Sequence, residues 1–275
     1  MIQPRYDEIE ARLQSIHSVL PGLMTLVCEM QKRDLSIDTK SNPMDLVTNA
    51  DRESERHILG MIQRDFPTDA ILAEESGISG AGHESALFQW CVDPIDGTIN
   101  YAHGLPLFSI SIGLIQEGEP VAGVVAMPAL GNVYQGVLGR GAFVDGRPLK
   151  VRANTDINQS LCVTGFPYDR RERLDPLVSA FRNVLGRVRG VRRTGSAALD
   201  LCWLAEGRFD IHYEVSLNAW DACAGAVLVR EAGGMLTDFK GNRYVPGMYQ
   251  MAASNHPEVH KQLLEALRPM ADMQA

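Results

Sequence analysis

An apolar run at residues 88–92 leads directly into two aspartates that stand three residues apart. Phe88 to Val92 is typical of a buried strand, and the chain continues Asp93-Pro94-Ile95-Asp96-Gly97-Thr98. Because proline forces a turn, a bend of this kind can point both carboxylates to one side, close together. Two anions so placed repel each other unless a cation or a proton lies between them. The segment therefore predicts a ligand site at the end of a strand.

Gly97 and Thr98 indicate that phosphate and a divalent metal are the ligands of this turn. Glycine lets a ligand approach the backbone closely, and Thr98 adds a hydroxyl group and a free N–H. A lone Asp-Gly pair would indicate a surface turn with Asp93 as its cap. Two aspartates and a threonine at the end of an apolar strand favour a functional site instead.

Three further segments carry carboxylates that could join the same site. Residues 45–51 end in Asp51 where a helix begins, Glu74-Glu75-Ser76 follows an apolar strand, and Trp220-Asp221 starts a helix whose dipole favours an acid. Taken singly, Asp51 and Asp221 could be ordinary helix-start acids, and the two glutamates could lie in a solvated loop. All of these groups are oxygen donors, so hard Mg²⁺ is favoured over zinc.

Hydrophobic periodicity indicates helices first and strands after them. A helix is predicted at residues 6–32 with a kink or restart at Pro21-Gly22, then a loop at Ser41-Asn42-Pro43 and a second helix at residues 51–66. Strands are predicted at residues 70–73, 88–92, 108–114 and 121–127, and residues 108–114 alternate as a half-buried strand does. Asp145-Gly146 is typical of a tight hairpin.

After about residue 154 the pattern changes to alternating strands and helices. Strands are predicted at residues 161–164 and 209–213, and helices at residues 174–185, 197–205 and 220–232, the last closed by Gly233-Gly234. No linker rich in proline, glycine or serine separates the two parts of the chain. We therefore expect a layered α/β architecture in one compact unit, with two halves around a cleft.

The composition excludes several other classes of protein. Among 275 residues 45% are hydrophobic and no short repeat occurs, which excludes collagen, coiled-coil and disordered chains. With 26 basic and 34 acidic residues the formal charge is −8, which disfavours a dedicated nucleic-acid or anionic-membrane binder. Neither a membrane-spanning run nor a signal-peptide pattern occurs, so a cytoplasmic location is expected. The five scattered cysteines are expected to be small buried hydrophobes.

The segments at residues 45–51, 74–76, 93–100 and 220–234 resemble the signature motifs of the inositol monophosphatase family of Mg²⁺-dependent, lithium-sensitive phosphatases. Residues 165–168 and 192–198 are similar to its bacterial branch. The resemblance implies an α/β (α+β) fold, a layered αβαβα sandwich of the inositol monophosphatase and fructose-1,6-bisphosphatase type. We expect a single domain over residues 1–275, with an N-terminal α+β half to about residue 153 and a C-terminal α/β half from about residue 154.

The resemblance also implies a role for each candidate site residue. Glu74, Asp93, the backbone carbonyl of Ile95 and Thr98 would surround a first Mg²⁺. Asp93, Asp96 and Asp221 would hold a second ion, and Glu74 would reach a third through water. Asp51 would orient the Thr98 hydroxyl beside the nucleophilic water, so Glu74, Thr98 and Asp51 form the implied catalytic group. The implied substrate-binding set comprises Glu74, Asp96, Gly97, Thr98, Gly195, Ser196, Ala197, Glu214 and Asp221.

The expected reaction is hydrolysis of inositol monophosphate to inositol and phosphate by a metal-activated water. Glu214 favours a polyol because a carboxylate accepts hydrogen bonds from adjacent hydroxyls. Sister activities are the alternatives, on fructose 1,6-bisphosphate, 3′-phosphoadenosine 5′-phosphate or histidinol phosphate. Some bacterial relatives also join transcription antitermination complexes, and that non-catalytic role could use the basic cluster Arg187, Arg189, Arg192 and Arg193. Such a cluster more often forms a solvated face or a dimer interface. The resemblance further implies a homodimer, a small-molecule phosphate as substrate and no membrane partner.

Overall fold

The computed structural model describes residues 2–33, 36–40, 46–80 and 86–273. Its helices are α1 (Tyr6–Gln31), α2 (Asn49–Asp65), α3 (Thr98–Ala102), α4 (Leu174–Leu185), α5 (Ala197–Ala205), α6 (Ala219–Glu231) and α7 (Pro257–Ala266). Asp45 and the loop predicted at Ser41-Asn42-Pro43 lie outside the described residues. In the ranges given above, no helix is both long and apolar enough to cross a bilayer.

Most of the described strands belong to a first, mainly antiparallel sheet. Its members are β3 (Ala70–Ala73), β4 (Gly77–Ser79), β5 (Phe88–Asp96), β6 (Ser109–Gln116), β7 (Glu119–Met127), β8 (Asn132–Val137), β9 (Gly141–Val144) and β10 (Arg147–Pro148). They lie in the order β10-β9-β8-β7-β6-β5-β3-β4, and β3 runs parallel to β5. A short antiparallel pair, β1 (Ile37–Thr39) and β2 (Leu46–Thr48), stands apart from it.

The second large sheet is mixed and comes from the C-terminal part of the chain. Its members are β11 (Leu161–Thr164), β12 (Gly190–Arg192), β13 (Ile211–Val215), β14 (Met235–Thr237) and β15 (Gln250–Ser254), in the order β12-β11-β13-β15-β14. β11 is parallel to both β12 and β13, whereas β15 is antiparallel to β13 and β14.

Helices and sheets alternate in layers. α1 packs on α2, and this pair covers one face of the first sheet, where α1 contacts β7 and α2 contacts β5. α6 lies on the other face against β5, β6, β7 and β8, and α5 packs between α6 and β13. α7 covers β15 from the far side, with α4 beside it. The predicted αβαβα sandwich is confirmed.

β6 is buried on both faces, so the prediction of a half-buried strand at residues 108–114 is wrong. Ile110 and Ile112 belong to the core under α1 and α2, as predicted. The alternate face carries Ser109, Ser111 and Gly113, which are small rather than solvent-facing, and α6 packs directly on it. A Cβ atom at Gly113 would lie 2.5 Å from the sulfur of Cys223, so the helix approaches as closely as glycine allows.

α1 continues through Pro21 as one helix, so of the kink or restart predicted at Pro21-Gly22 the restart is wrong. Proline at this position removes one N–H donor from the helix interior. Pro21 lies on the exposed side of α1, where water can satisfy the freed carbonyl group. On the opposite side Leu20 and Leu23 are buried in the core, and that packing outweighs the lost hydrogen bond.

The local turns follow the predicted chemistry. Asp145 and Gly146 both have positive φ, 48° and 77°, and join β9 to β10 as a two-residue hairpin loop. Gly233 takes φ 90° just after α6, as a left-handed residue that closes a helix does. The strand predicted at residues 209–213 begins two residues later, at Ile211. Cys91, Cys162, Cys202 and Cys223 are buried and Cys28 is half-buried, all as free thiols.

Candidate active site

A cavity of about 510 Å³ opens where the ends of β5 and β13 meet the beginnings of α3, α5 and α6. Asp51 lies at the first turn of α2 and contacts Thr98 on this wall. The structure thus brings every predicted site residue to one place. Those that line the cavity directly are Glu74, Asp93, Ile95, Asp96, Gly97, Thr98, Gly195, Ser196, Ala197, Glu214 and Asp221.

An irregularity at the end of β5 positions Asp93 and Asp96. The register between β5 and β6 shifts between these two residues, which is the signature of a bulge. The backbone N–H of Ile95 donates to Asp93 Oδ1 at 3.0 Å and closes the turn around Pro94. The bulge directs both carboxylates into the cavity, whereas regular strand residues three apart would point to opposite faces.

The start of α5 holds Asp96. The backbone N–H of Ala198 and the hydroxyl of Ser196 donate to Asp96 Oδ2 at 2.7 and 2.6 Å, and the N–H of Ala197 donates to Oδ1 at 3.3 Å. A helix N-terminus has free N–H groups and the positive end of the helix dipole, so it suits a carboxylate. Burial nevertheless raises the pKa of Asp96, against the effect of these hydrogen bonds.

Asp51 and Thr98 form a hydrogen-bonded pair at the back of the cavity. The Thr98 hydroxyl lies 3.1 Å from Asp51 Oδ1 and 3.0 Å from the carbonyl oxygen of Ile95, so it can donate to either. Asp51 Oδ2 accepts from both the backbone N–H and the hydroxyl of Thr48, which caps α2. Burial raises the pKa of Asp51 above its usual range.

Glu74 shares a lysine with its neighbour Glu75. The ammonium of Lys40 lies 2.8 Å from Glu74 Oε1 and 2.7 Å from Glu75 Oε1. Burial raises the pKa of Glu74 to about 7, although the charge of Lys40 acts in the opposite direction. The carboxyl group of Asp93 is near enough to affect the pKa of Glu74, and Glu74 in turn raises the pKa of Asp93. Positive charge or a proton therefore already accompanies this carboxylate.

Asp93 stands at the centre of the acidic cluster. Burial raises the pKa of Asp93 well above its usual range, and the charges of Glu74, Asp96 and Asp221 raise it further. Asp221 lies in the first turn of α6, and its pKa is raised by burial first and then by the charges of Glu74 and Asp96. Each carboxylate makes ionisation of the others harder, and a divalent cation among them would relieve that repulsion.

The donor chemistry fits Mg²⁺, because the cluster contributes carboxylate, hydroxyl and backbone carbonyl oxygens without a thiol or an imidazole. The side chains as placed do not form a complete coordination site. In the part of the chain that the structure describes, no three acidic, histidine or cysteine side chains converge closely enough to hold an ion. Acidic side chains of the cluster would therefore have to come closer together to enclose an ion.

Two glycines shape the backbone of the cavity wall. Gly97 takes φ 92° before α3, and a Cβ atom there would lie 3.1 Å from the carbonyl oxygens of Gly195 and Leu107. Gly195 takes φ 99° and packs on the amide of Asn100. The Asn100 amide nitrogen donates to the carbonyls of Leu107 and Thr194, at 2.6 and 2.8 Å, and so ties the two glycine turns together. Backbone groups of this wall are available to an anionic ligand.

Glu214 enters the cavity from β13, near enough for its charge to raise the pKa of both Asp96 and Asp221. Its carboxylate lies 3.1 Å from Nε2 of the fully buried His212. The buried carboxyl of Asp200 also lines the cavity and accepts a hydrogen bond of 2.5 Å from the Thr194 hydroxyl. Burial raises the pKa of Asp200 well above its usual range, and the charge of Glu214 adds to the shift.

Several residues of this site escaped the sequence analysis, among them Lys40, Asp200 and His212. Lys40 has no local motif, since its contacts with Glu74 arise only from tertiary packing. Asp200 is a buried acid among the apolar residues of α5. Because unpaired acids are rarely buried, an aspartate in so apolar a helix could have been recognised from the sequence as a candidate site residue. His212 stands two residues before Glu214, and that spacing on a strand places both on one face.

Comparisons with known proteins agree with one another. The family model described as "Inositol monophosphatase family" matches residues 13–271. An inositol-1-monophosphatase of Synechocystis sp. is 41% identical over 231 residues, 84% of this chain and 79% of that protein. A Nus factor SuhB of Pseudomonas aeruginosa is 36% identical over 242 residues, 87% and 89% of the two chains. The solved inositol monophosphatase of Anabaena (Nostoc) sp. matches with a TM-score of 0.84 at 36% identity, covering 95% and 96% of the two chains.

Proposed function

The chain belongs to the inositol monophosphatase family, and we propose that it hydrolyses inositol monophosphates to inositol and inorganic phosphate with the help of Mg²⁺. One observation carries the proposal. Four acids, of which Asp93 and Asp96 are buried and Glu74 and Asp221 half-buried, line the same cavity as Thr98, whose hydroxyl contacts Asp51. The similarity to proteins named inositol-1-monophosphatase supports the choice of substrate class.

The proposed metal ligands come from the family resemblance, and the residues concerned line the cavity. Glu74, Asp93, the carbonyl oxygen of Ile95 and Thr98 would hold a first Mg²⁺. Asp93, Asp96 and Asp221 would hold a second ion, and Glu74 would contact a third through water. When bound, Mg²⁺ lowers the pKa of the attacking water and neutralises negative charge on the phosphate and its leaving oxygen.

Thr98 and Asp51 can guide a proton. The Thr98 hydroxyl can give its hydrogen to Asp51 Oδ1 while its oxygen accepts a hydrogen from the attacking water. Because burial raises the pKa of Asp51, its carboxylate accepts a proton more readily than an exposed aspartate does. Glu74 also faces this wall and is a second acceptor for the water. No covalent phosphoenzyme is expected from this set of groups.

The remaining cavity residues would bind the substrate. The backbone N–H groups of Gly97 and Thr98 would receive the phosphate at the start of α3, and Gly195, Ser196 and Ala197 would line the same wall. Glu214 would accept hydrogen bonds from ring hydroxyls of the polyol. We infer a preference for a phosphate ester with free hydroxyls close to the ester carbon.

A panel of phosphate esters, hydrolysed with and without Mg²⁺, tests this proposal. We expect turnover of inositol 1-phosphate to exceed that of fructose 1,6-bisphosphate, 3′-phosphoadenosine 5′-phosphate and histidinol phosphate, to stop in EDTA and to resume with Mg²⁺. Lithium should inhibit by occupying the second metal position. Full turnover after exhaustive metal removal would refute the metal mechanism, and a strong preference for another ester would refute the substrate.

A second candidate function is a non-catalytic role in transcription, which the similarity to Nus factor SuhB proteins favours. Arg187, Arg189, Arg192 and Arg193 are exposed around β12, at the edge of the second sheet. Asp96→Asn separates the two roles, because it should abolish hydrolysis and leave that basic surface intact. If a transcription antitermination reporter responds equally to the wild type and to Asp96→Asn, the second role is supported.

A homodimer and a cytoplasmic location complete the proposal. α4 exposes about half of the surface of Leu174, Val178 and Leu185, a stripe that a second copy could cover. Sedimentation velocity measures the oligomeric state directly. A monomer at all concentrations would contradict the dimer without affecting the proposed chemistry.

A further inference from the structure

The Glu214 carboxylate is held from behind by a histidine. His212 and Glu214 are alternate residues of β13, so both side chains point to the same face of the second sheet. His212 Nε2 lies 3.1 Å from Glu214 Oε2. An ionised carboxylate can only accept, so Nε2 carries the hydrogen and donates it. One oxygen of Glu214 is thereby given a fixed partner inside the protein.

Packing alone does not account for His212. The residue is fully buried, with apolar neighbours such as Val163 and Ala253 at its register positions on β11 and β15. Its other ring nitrogen, Nδ1, has no hydrogen-bond partner within the described residues. A polar ring with an unpaired nitrogen destabilises an interior that a hydrophobic side chain would fill better. The contact with Glu214 is the polar interaction that this histidine makes.

A glycine closes the other side of the carboxylate. A Cβ atom at Gly165 would lie 1.8 Å from Glu214 Oε1 and 2.3 Å from Cδ, so any larger residue would displace Glu214. Gly165 is not among the residues with positive φ, and alanine fits its backbone conformation without strain. Gly165 is therefore required for the space that the carboxylate occupies.

We propose that His212 and Gly165 are positioning residues that fix the Glu214 carboxylate for the hydroxyl groups of a polyol phosphate. The inference rests on the proposed function, in which Glu214 contacts the substrate. His212 orients the carboxylate through Oε2, and the absence of a side chain at Gly165 leaves the space at the cavity wall that Oε1 occupies. The carboxylate then keeps free lone pairs toward the cavity, and selectivity for a hydroxyl-rich ester depends on all three residues.

The test compares specificity among variants. The readout is kcat/KM for inositol 1-phosphate divided by kcat/KM for glycerol 2-phosphate, measured for wild type, Glu214→Gln, His212→Phe and Gly165→Ala. We expect each variant to lower the ratio, Glu214→Gln the most and the other two roughly tenfold, the effect of one net hydrogen bond. Two matched controls are His260→Gln, another buried histidine, and Gly60→Ala, which meets no atom within 4 Å. Both should leave the ratio at the wild-type value.

A double-mutant cycle separates positioning from a merely structural role. If His212 acts through Glu214, adding His212→Phe to Glu214→Gln lowers the ratio no further. An equal additional loss in that background would overturn the proposal, and so would an unchanged ratio in both single variants. Thermal unfolding of each variant, measured alongside, shows whether a fall in activity follows a fall in folded protein.

Imidazole ¹⁵N NMR tests the contact between His212 and Glu214 without any measurement of turnover. Wild type should show His212 as the Nε2–H tautomer, and the Nε2 resonance should move in both Glu214→Gln and Gly165→Ala, which disturb its acceptor. A wild type that hydrolyses neither ester refutes the proposed function, and the NMR result still tests the contact. A dominant Nδ1–H tautomer in the wild type, or an Nε2 resonance that neither variant moves, would overturn the inference.

Discussion

Asp93 is the residue on which the acidic cluster depends most. The charges of Glu74, Asp96 and Asp221 all act on it, and burial raises its pKa well above the usual range. Asp221 is affected chiefly by Glu74 and Asp96. These effects agree with the proposed assignment, in which Asp93 would be shared by two ions and Asp221 would hold one.

Asp93→Asn should therefore weaken metal binding more than Asp221→Asn. We expect losses on the order of a hundredfold and about tenfold respectively. Isothermal titration of Mn²⁺ or Mg²⁺ into each purified variant measures both. Asp238→Asn is the matched control, because Asp238 is a buried acid bonded to Lys240 and Asn242 and does not line the cavity. Equal losses at Asp93 and Asp221 would contradict the bridging assignment.

The sequence was sufficient to predict the acidic groups but not their partners. Asp93, Asp96 and Thr98 stand in one short turn, and their proximity follows from chain connectivity. Lys40 reaches Glu74 from the end of β1, across sequence that contains no common motif. The hydrogen bond from the Ala198 N–H at the start of α5 to Asp96 joins residues that are 102 positions apart in the sequence. Only the tertiary structure reveals this contact.

The close approach of α6 to the first sheet is what brings Asp221 to the acids of β5. Gly113 and Gly123 lie under this helix, and Cβ atoms there would be 2.5 Å from the sulfur of Cys223 and from Cα of Ala224. Cys223 follows Asp221 by two residues on the same helix. The separation between sheet and helix thus determines the position of a site carboxylate.

Gly113→Ala should move α6 and lower both stability and activity. Overpacking of a buried interface typically costs about 1–3 kcal/mol, and the displaced Asp221 should reduce kcat and metal affinity together. Chemical denaturation and steady-state kinetics measure the two effects. Gly60→Ala, in the middle of α2 with no atom within 4 Å, should instead stabilise by about 0.5–1 kcal/mol. If both variants behave alike, the helix is not in tight contact with β6.

Five helices and the most apolar strands were predictable because their apolar periods are regular, whereas short strands such as β12, β14 and β15, and the helix α7, were not predicted. The errors have physical causes. β6 alternates large and small residues, which predicts one buried face, but the small face receives a helix instead of water. Pro21 predicts a kink or a restart, but burial of Leu20 and Leu23 beside it keeps α1 one helix without a restart. In both cases tertiary packing, which a local pattern does not contain, decided the outcome.

The layered molecule encloses a buried histidine far from the cavity. His260 of α7 lies 2.8 Å from the Thr237 hydroxyl through Nε2 and 2.9 Å from the Ser254 hydroxyl through Nδ1. Burial lowers the pKa of His260 to about 4, from 6.5 in the unfolded chain. The folded state therefore resists a proton that the unfolded state accepts between these two values.

His260 should make the whole fold sensitive to acid. Because the folded pKa is depressed, its contribution to stability is complete above pH 6.5 and is lost as the pH falls toward 4. The loss cannot exceed about 1.4 kcal/mol for each pH unit. Denaturation at several pH values should show a steeper decline in wild type than in His260→Gln over this range. Parallel curves for the two proteins would mean that His260 titrates normally when folded.

Metal binding should stabilise the whole molecule, because β3, β5 and α6 each bring an acid to the same cavity. An ion that binds only the folded state adds about 2.7 kcal/mol at a hundred times its Kd, which corresponds to a rise in Tm of roughly 5–10 °C for a chain of this size. Differential scanning calorimetry in EDTA and in Mg²⁺ measures this rise.

Asp93→Asn should reverse the order of the two proteins in that experiment. In EDTA the variant should melt no lower than wild type, because asparagine replaces a buried acid whose ionisation is opposed by the charges of Glu74, Asp96 and Asp221. In Mg²⁺ the wild type should melt higher, because the variant lacks the central ligand. Asp238→Asn should gain as much from Mg²⁺ as wild type does. NaCl at matched ionic strength is the remaining control, since an equal rise in NaCl would mean that screening of the net charge of −8, rather than a bound ion, stabilises the fold.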